Sequence, residues 1–490
     1  MSQAARTVTI QGDAAQTVII TGDGNCVTLG HAEGFAFRLL DADFRQQQAH
    51  RAPADFYNGT RVNWANIARG DDARRDLLDP LLDFVTASGP AQRAGVITGL
   101  SGEGKTTLLM RLAWEAAEAG YPVLWRHYGT VSAPYERPFA EARRVLLFVD
   151  ELPYAEGLPR LLSDLNESGL PFTLLGTARE YEWANSPLRL ETARLAAWQE
   201  FTLERLKEDE ARCLLAKLEE RQALGTLADK PPAARLAYLL DRLQADGQLL
   251  PALLTARQGK AFEAILEDVF TRLERRWGAE RAVFLLRGYA GIALVHRFGF
   301  WMSRPLLAGF LDVSEADLTP RLMQPLSGEL TEISEAEGRR LYTRHPWIAE
   351  RSLSLLCGAR LPEEDYLYAD LFRALGDYLR ERPCDEERKL LSKLPLAFKY
   401  RGDFGRAQEL FQQAAQADPT HAPSWQAWAL MEKEQGNVER ARELFQRAAA
   451  ADPKHAPVFQ AWALMEKELG NVERARELFQ RAAADPKHAP

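Results

Sequence analysis

Gly402, Gly436 and Gly470 stand 34 residues apart, and behind each the same side chains return in the same order. Ala407, Phe411, Ala414 and Pro419 recur as Ala441, Phe445, Ala448 and Pro453, then as Ala475, Phe479 and Ala482. Trp425 and Trp428 head one unit, and Phe459 and Trp462 head the next. A unit of this length has room for two helices and a turn. Neither helix can bury its apolar stripe alone, so the period predicts helix–turn–helix pairs stacked into an α-solenoid. The segments QAWALMEKE and GNVERARELFQRAAA recur almost unchanged, which suggests a recent duplication. The last unit lacks one alanine and no polar capping helix follows it, so the array is expected to be cut short or finished by another surface.

A second motif constrains the middle of the chain. GLSGEGKT, Gly99 to Thr106, fits G-x-x-x-x-G-K-[ST], the phosphate-binding P-loop. AGVIT (94–98) just before it reads as a buried strand, and TLLMRLAWEAA (107–117) just after it as an amphipathic helix. Gly99, Ser101, Gly102, Glu103, Gly104 and Thr107 then belong to a cradle whose backbone N–H groups and helix N-terminus face phosphate oxygens. Lys105 reaches the β- and γ-phosphates, and the Thr106 hydroxyl is placed to ligate Mg²⁺. RRVLLFVDELP (143–153) supplies a strand buried on both faces that ends in Asp150 and Glu151. A carboxylate there can hold Mg²⁺, assigned to Asp150, and the next can orient or deprotonate an attacking water, assigned to Glu151. FTLLGTARE (172–180) ends in Thr177 and Arg179, and Arg179 is the candidate sensor of the γ-phosphate. With VLWRHY (123–128) and EFTL (200–203), five strands are available for a parallel sheet that binds at its carboxyl ends.

Bulk properties mainly exclude. The net charge of −8 gives no support to general affinity for nucleic acid or anionic membrane. Cys26, Cys213, Cys357 and Cys384 lie far apart, which argues against a metal cluster or a disulfide framework and fits a reducing cytoplasm. The apolar stretch from Ala282 is interrupted by Arg287, His296 and Arg297, so it reads as a buried helix, not a membrane span. The N-terminus has no signal-peptide core. It carries a ten-residue repeat instead: Thr7, Val8, Ile10, Gly12 and Asp13 return as Thr17, Val18, Ile20, Gly22 and Asp23, a small stacked β element or an arm ordered in part.

The order of P-loop, hhhhDE and hhGTxR resembles the STAND class of P-loop ATPases, which includes NACHT and NB-ARC switch proteins. The resemblance covers roughly residues 60–360, and that of the 34-residue units to tetratricopeptide repeats covers roughly 388–490. It implies a multidomain α/β plus α chain: a short β element and possible adaptor at 1–30, a wrapping linker at 31–75, a P-loop ATPase core at 76–206, a helical domain at 207–279, a winged helix at 280–360 and sensor repeats at 361–490. EFTLERLKEDEARCLL (200–215) looks like the passage from last strand to acidic helix. LLPALL (249–254) takes the place of the class's Gly-x-Pro motif; Pro251 fits, and Leu249 replaces the glycine. His345 looks like the histidine that contacts the β-phosphate of bound ADP, and Arg74 is taken as the arginine that meets adenine. The class implies a slow Mg²⁺-dependent ATPase that binds a protein trigger on its repeats, exchanges ADP for ATP and forms a homo-oligomer. That oligomer would activate a separate effector, reached through residues 1–30. In bacteria the expected setting is antiphage signalling. The alternative is a tetratricopeptide interaction scaffold, or a transcription-linked regulator, around a nucleotide-bound core.

Overall fold

The structure is a computed structural model that describes residues 37–87, 92–126, 144–155, 158–168, 171–184, 186–192, 198–335, 338–382 and 384–483. The ten-residue repeat of 1–30 lies outside the described residues. The chain is a multidomain α/β plus α protein.

The first unit is a six-stranded sheet. Its strands are β1 (Arg38–Leu39), β2 (Arg93–Thr98), β3 (Val123–Arg126), β4 (Val145–Val149), β5 (Phe172–Thr177) and β6 (Trp198–Thr202), in the order β1-β3-β4-β5-β2-β6. All neighbours are parallel except β1, which runs antiparallel to β3 at the edge. The period of two in the apolar strands divides their side chains between two cores. Leu146, Phe148, Ile97 and Leu175 pack on one face with the helix Lys105–Glu118. Val145, Leu147, Val149, Val96 and Leu174 pack on the other with the helix Leu158–Ser168. Burial on both faces is what makes these strands read as continuous apolar runs. The order matters for the site: β5 lies between β2 and β4, so the residues that end β5 sit between the P-loop and Asp150–Glu151.

The segment before the sheet wraps it. Trp64 packs on Trp114 and Trp125, with ring centroids 6.3 and 5.0 Å away. After β6 come helices Glu208–Glu220, Pro232–Asp246 and Leu249–Gln258 with their own apolar core, which also takes in Tyr57. The helix Ala279–His296 is buried along most of its length, as its sequence predicts. No helix among the described residues is long and apolar enough to cross a membrane. The helix Ala279–His296 is followed by β7 (Met302–Ser303), the helical segments Arg304–Leu311, Glu315–Leu318 and Thr319–Met323, and a hairpin of β8 (Leu330–Glu335) and β9 (Gly338–Thr343), in the strand order β7-β9-β8.

Three helix pairs complete the described chain: Leu390–Tyr400 with Phe404–Ala417, Ala422–Glu434 with Val438–Ala451, and Ala456–Glu468 with Val472–Ala483. The glycines that mark the period occupy the same left-handed turn between the helices of each pair, with φ of 81°, 81° and 82° at Gly402, Gly436 and Gly470. A side chain there would be strained in every unit, which accounts for glycine at each. The hydrophobic core runs without a break from Phe262 through the β7–β9 region into these repeats.

Candidate functional site

The P-loop joins β2 to the helix Lys105–Glu118, and Gly104 at the helix entry has a φ of 90°, accessible to glycine at little cost. The Lys105 ammonium curls back on the loop and donates to the carbonyls of Gly99 at 3.0 Å and Leu100 at 2.7 Å. Ser101, Gly102, Thr106 and Thr107 remain partly exposed around it. The Thr106 hydroxyl donates to both Asp150 carboxylate oxygens at 3.1 Å. Thr177, at the end of β5, donates to Asp150 and accepts from the Glu151 N–H at 3.1 Å. One hydroxyl thus fixes both acidic residues. It also holds Glu151 at φ 54°, a left-handed turn that costs a non-glycine residue on the order of 1 kcal/mol.

No cluster of three or more metal-ligating side chains exists among the described residues. Thr106 and Asp150 suit Mg²⁺ nonetheless, because this ion takes one or two protein oxygens and completes its shell with water and phosphate.

Burial, and then the neighbouring Asp150 carboxylate, push the Glu151 carboxyl up to about 7. Burial and the Arg179 guanidinium draw the Lys105 ammonium down to about 8. Burial, then Arg179, Arg61 and Lys105, hold the His345 ring neutral down to about 3. These influences place His345 in one electrostatic neighbourhood with the P-loop lysine and Arg179. The His345 Nδ1 accepts from the Trp347 N–H at 3.1 Å, capping the helix Pro346–Leu356, which leaves the ring proton on Nε2.

Arg179 is buried and turned toward the second half of the molecule. It donates to the Arg297 carbonyl at 2.8 Å and to the Tyr181 hydroxyl at 3.2 Å, and pairs with Glu182 at 3.3 Å. Glu151 faces the same loop: a Cβ on Gly299 would lie 3.4 Å from its carboxyl carbon. Arg297 in turn pairs with Glu350 at 3.1 Å and Glu364 at 2.6 Å, and Arg401 of the first repeat joins Glu350 at 2.6 Å. Tyr154, three residues after Glu151, packs edge-on against Phe300 at 5.0 Å and near Tyr400 at 6.3 Å.

Several residues differ from, or add to, the sequence expectation. Arg74 lies on the surface, 53% exposed, where it pairs with Asp79 and Glu115. Its neighbour Arg75 takes the buried place, donating to the Glu103 carbonyl at 2.8 Å, the Glu204 carbonyl at 2.7 Å and the Glu210 carboxylate at 2.9 Å. The Glu103 side chain, raised above the usual carboxylate range by burial, accepts from the Leu249 N–H at 3.1 Å. That bond brings the Leu249–Leu250–Pro251 turn of the helical block onto the P-loop, with Pro251 buried in the helix it opens. Arg61, from the wrapping segment, approaches Asp150 to 4.0 Å and lies over the Tyr342 ring at 5.6 Å. Sequence reasoning assigned no role to Arg61, Arg75 or Arg297.

Residues 54–190 match the family of novel STAND NTPases, type 5, and residues 400–467 match the tetratricopeptide repeat family. No curated protein matches the chain. Among solved structures, a STAND protein with a tetratricopeptide repeat sensor from Pyrococcus horikoshii aligns at 14% identity, over 85% of this chain and 66% of that one, with a TM-score of 0.29. MamA aligns at 16% identity over 28% of this chain and 87% of that one, with a TM-score of 0.20. A RuvB variant from Thermogota maritima aligns at 16% identity over 55% of this chain and 92% of that one, with a TM-score of 0.24. At these TM-scores none of the superpositions bears on the fold or function of this chain.

Proposed function

We propose, for a chain that carries a STAND NTPase domain over residues 54–190 and tetratricopeptide repeats over 400–467, that it works as a nucleotide-timed signalling latch. The observation that carries this reading is the Arg179 contact. The residue proposed to sense a γ-phosphate donates to the Arg297 carbonyl, and Arg297 and Arg401 share Glu350, so a chain of one backbone hydrogen bond and two ion pairs links Arg179 to the first repeat. A force that moves the repeats strains the grip on Arg179. A γ-phosphate that recruits Arg179 weakens the hold on the repeats.

In this reading Lys105 binds the β- and γ-phosphates, Thr106 and Asp150 hold Mg²⁺, and Glu151 positions and deprotonates water. Bound Mg²⁺ would supply charge neutralisation on the phosphates. Residues 280–360, read as a winged helix, would close over the site, and the neutral His345 within them would offer its Nε2–H to the β-phosphate of ADP. Arg75, with the Glu103–Leu249 bond, ties the P-loop to the helical block where the base would lie. A trigger on the repeats opens the assembly, ATP replaces ADP, and the open chains form a homo-oligomer that activates a separate effector through residues 1–30. Slow hydrolysis resets the latch. The biological setting proposed is antiphage signalling.

The energetics are modest. Driving such a latch from 1:99 to 99:1 takes about 5.5 kcal/mol of differential binding. Trigger and γ-phosphate can share that load. The test is mass photometry of the Glu151→Gln variant with ADP and with ATP. A discrete oligomer is expected with ATP and monomer with ADP. An unchanged size in both, with partner binding intact, overturns the latch and supports the scaffold. His345→Ala is expected to raise the ADP off-rate roughly tenfold, for the loss of one hydrogen bond to a charged group. Stopped-flow release of a fluorescent ADP measures it, and an unchanged rate would leave His345 as a helix cap alone.

A further inference from the structure

Asp150 is buried, and its carboxylate accepts from the neutral hydroxyls of Thr106 and Thr177. A buried carboxylate calls for a counter-charge. Arg61 brings one from the segment that precedes the sheet: its guanidinium lies 4.0 Å from Asp150 Oδ2, and its side chain is 23% exposed. The same guanidinium sits over the Tyr342 ring of β9 at 5.6 Å. Asp150 is also the carboxylate assigned, with Thr106, to Mg²⁺. A guanidinium and a divalent cation beside one carboxylate repel each other, so the arginine and the ion compete for it.

The residues just before Arg61 form a wedge. Phe56–Asn58 is one short helical turn, closed by the Asn58 N–H on the Asp55 carbonyl and the Gly59 N–H on the Phe56 carbonyl, both at 3.1 Å. Gly59 is left-handed, with φ 80°, and a Cβ there would lie 3.0 Å from Ile348 and 3.4 and 3.5 Å from Leu254 and Leu250. On one side Arg257, of the helix Leu249–Gln258, donates to the Tyr57 carbonyl and, at 2.7 Å, to the Asn58 side-chain oxygen. On the other side Arg344, which follows β9, donates to the Asn58 carbonyl at 3.2 Å. Asn58 and Gly59 are thus gripped between the helical block and the residues that flank His345. Arg61, two residues on, carries the same stretch of chain to Asp150.

We propose that Arg61 is a positioning residue that reads the metal at Asp150: it holds the carboxylate while Mg²⁺ is absent, and it withdraws when nucleotide brings Mg²⁺, which loosens the wedge at Asn58 and Gly59. The proposal rests on the reading of Thr106 and Asp150 as the residues that hold Mg²⁺. It gives the latch a second input beside Arg179, one that senses the ion and not the γ-phosphate. A triphosphate holds the ion through its β- and γ-oxygens, so the exchange of partners at Asp150 is tied to ATP more than to ADP. The output lies between the helical block and the residues around His345, the two parts that the wedge keeps in contact.

The test uses the full chain and a non-hydrolysable ATP analogue, titrated by calorimetry in Mg²⁺ and in EDTA. The ratio of the two affinities measures how much the ion helps. Arg61→Ala should raise that ratio by about tenfold, the effect of removing a like charge from beside the ion. Arg61→Gln, which keeps most of the stem against Tyr342, should do the same, and Arg61→Lys, which keeps the charge, should return the ratio toward the parent value. Hydrogen exchange gives the second readout. In the parent complex, adding Mg²⁺ should speed exchange across residues 55–61 by roughly threefold or more, and in Arg61→Ala that exchange should be fast before Mg²⁺ is added. An unchanged ratio in both neutral variants overturns the proposal, as does exchange at 55–61 that ignores Mg²⁺. An equal loss of affinity with and without Mg²⁺ also overturns it, since that would make Arg61 a phosphate ligand. In each of these cases a parent chain that binds more tightly in Mg²⁺ keeps its magnesium site. Parent affinity indifferent to Mg²⁺ removes the roles of Thr106 and Asp150 together with that of Arg61.

Discussion

Lys105→Ala should lower affinity for both ADP and ATP by on the order of 100-fold, which corresponds to about 3 kcal/mol, the cost of removing one partner from a desolvated charge pair. The position of the ammonium accounts for the size of the loss. It is half-buried at the head of the helix, its pKa is drawn down to about 8 by desolvation and by Arg179, and its present partners are two loop carbonyls. A phosphate offers it a full negative charge in place of two dipoles, so the ammonium is stabilised most when nucleotide is bound. The fold should not suffer. Alanine is an excellent residue for the first turn of a helix, and Leu100, which supplies one of the freed carbonyls, lies at the surface. Calorimetric titration together with thermal melting separates the two effects: the variant without nucleotide should melt within a few degrees of the parent, and the shift produced by millimolar ADP should vanish. Affinity within threefold of the parent would remove Lys105 from the phosphate site.

The parts of this site that were legible in the sequence are those encoded by neighbours in the chain. Gly99 to Thr106, Asp150–Glu151 and Thr177–Arg179 each follow an apolar run that can only be a buried strand, and strand ends of a parallel sheet meet at one edge. The 34-residue period was legible for the same reason, since each unit repeats its own local packing. Sequence could not supply the lateral order of the strands. The place of β5 between β2 and β4, which lets Thr177 hold both Asp150 and Glu151, is decided by packing across the whole sheet. The two arginines in ARRD show the limit most clearly. Arg74 and Arg75 are adjacent and chemically identical, and which of them is buried is decided by Glu210, 135 residues away. The acidic opening of the helix Glu208–Glu220 was a usable signal, because a carboxylate buried at a helix start calls for a cation. Arg61 and Arg297 had no signal of that kind. Their roles arise from contacts between blocks distant in sequence, as the Arg297 carbonyl does for Arg179.

The second large effect concerns Glu151. Glu151→Gln should keep nucleotide binding and lower turnover by roughly 10²- to 10⁴-fold, the usual contribution of a positioned general base. The pH profile gives this prediction its specificity. A base must be ionised to take a proton, and Glu151 is pushed up to about 7 by burial and by Asp150, so kcat/KM should rise with pH through about 7. Lys105 must be protonated to hold phosphate, and it is drawn down to about 8, so kcat/KM should fall as pH rises beyond about 8. Because kcat/KM reports the enzyme before nucleotide binds, these are the ionisations that apply, and the profile is a narrow bell between them. Glutamine has nothing to titrate. The variant should therefore lose the acid limb and keep the alkaline one, while Lys105→Ala should lose the alkaline limb together with affinity. An acid limb that survives in Glu151→Gln would assign it to another carboxylate, and near-parent turnover would take the water-activating role away from Glu151 altogether. Arg179 offers an internal control, because freeing it from the Arg297 carbonyl changes the charge beside both groups without touching either. Trigger binding that opens the latch should then shift both limbs of the bell, and a latch that stays closed should leave them where they are.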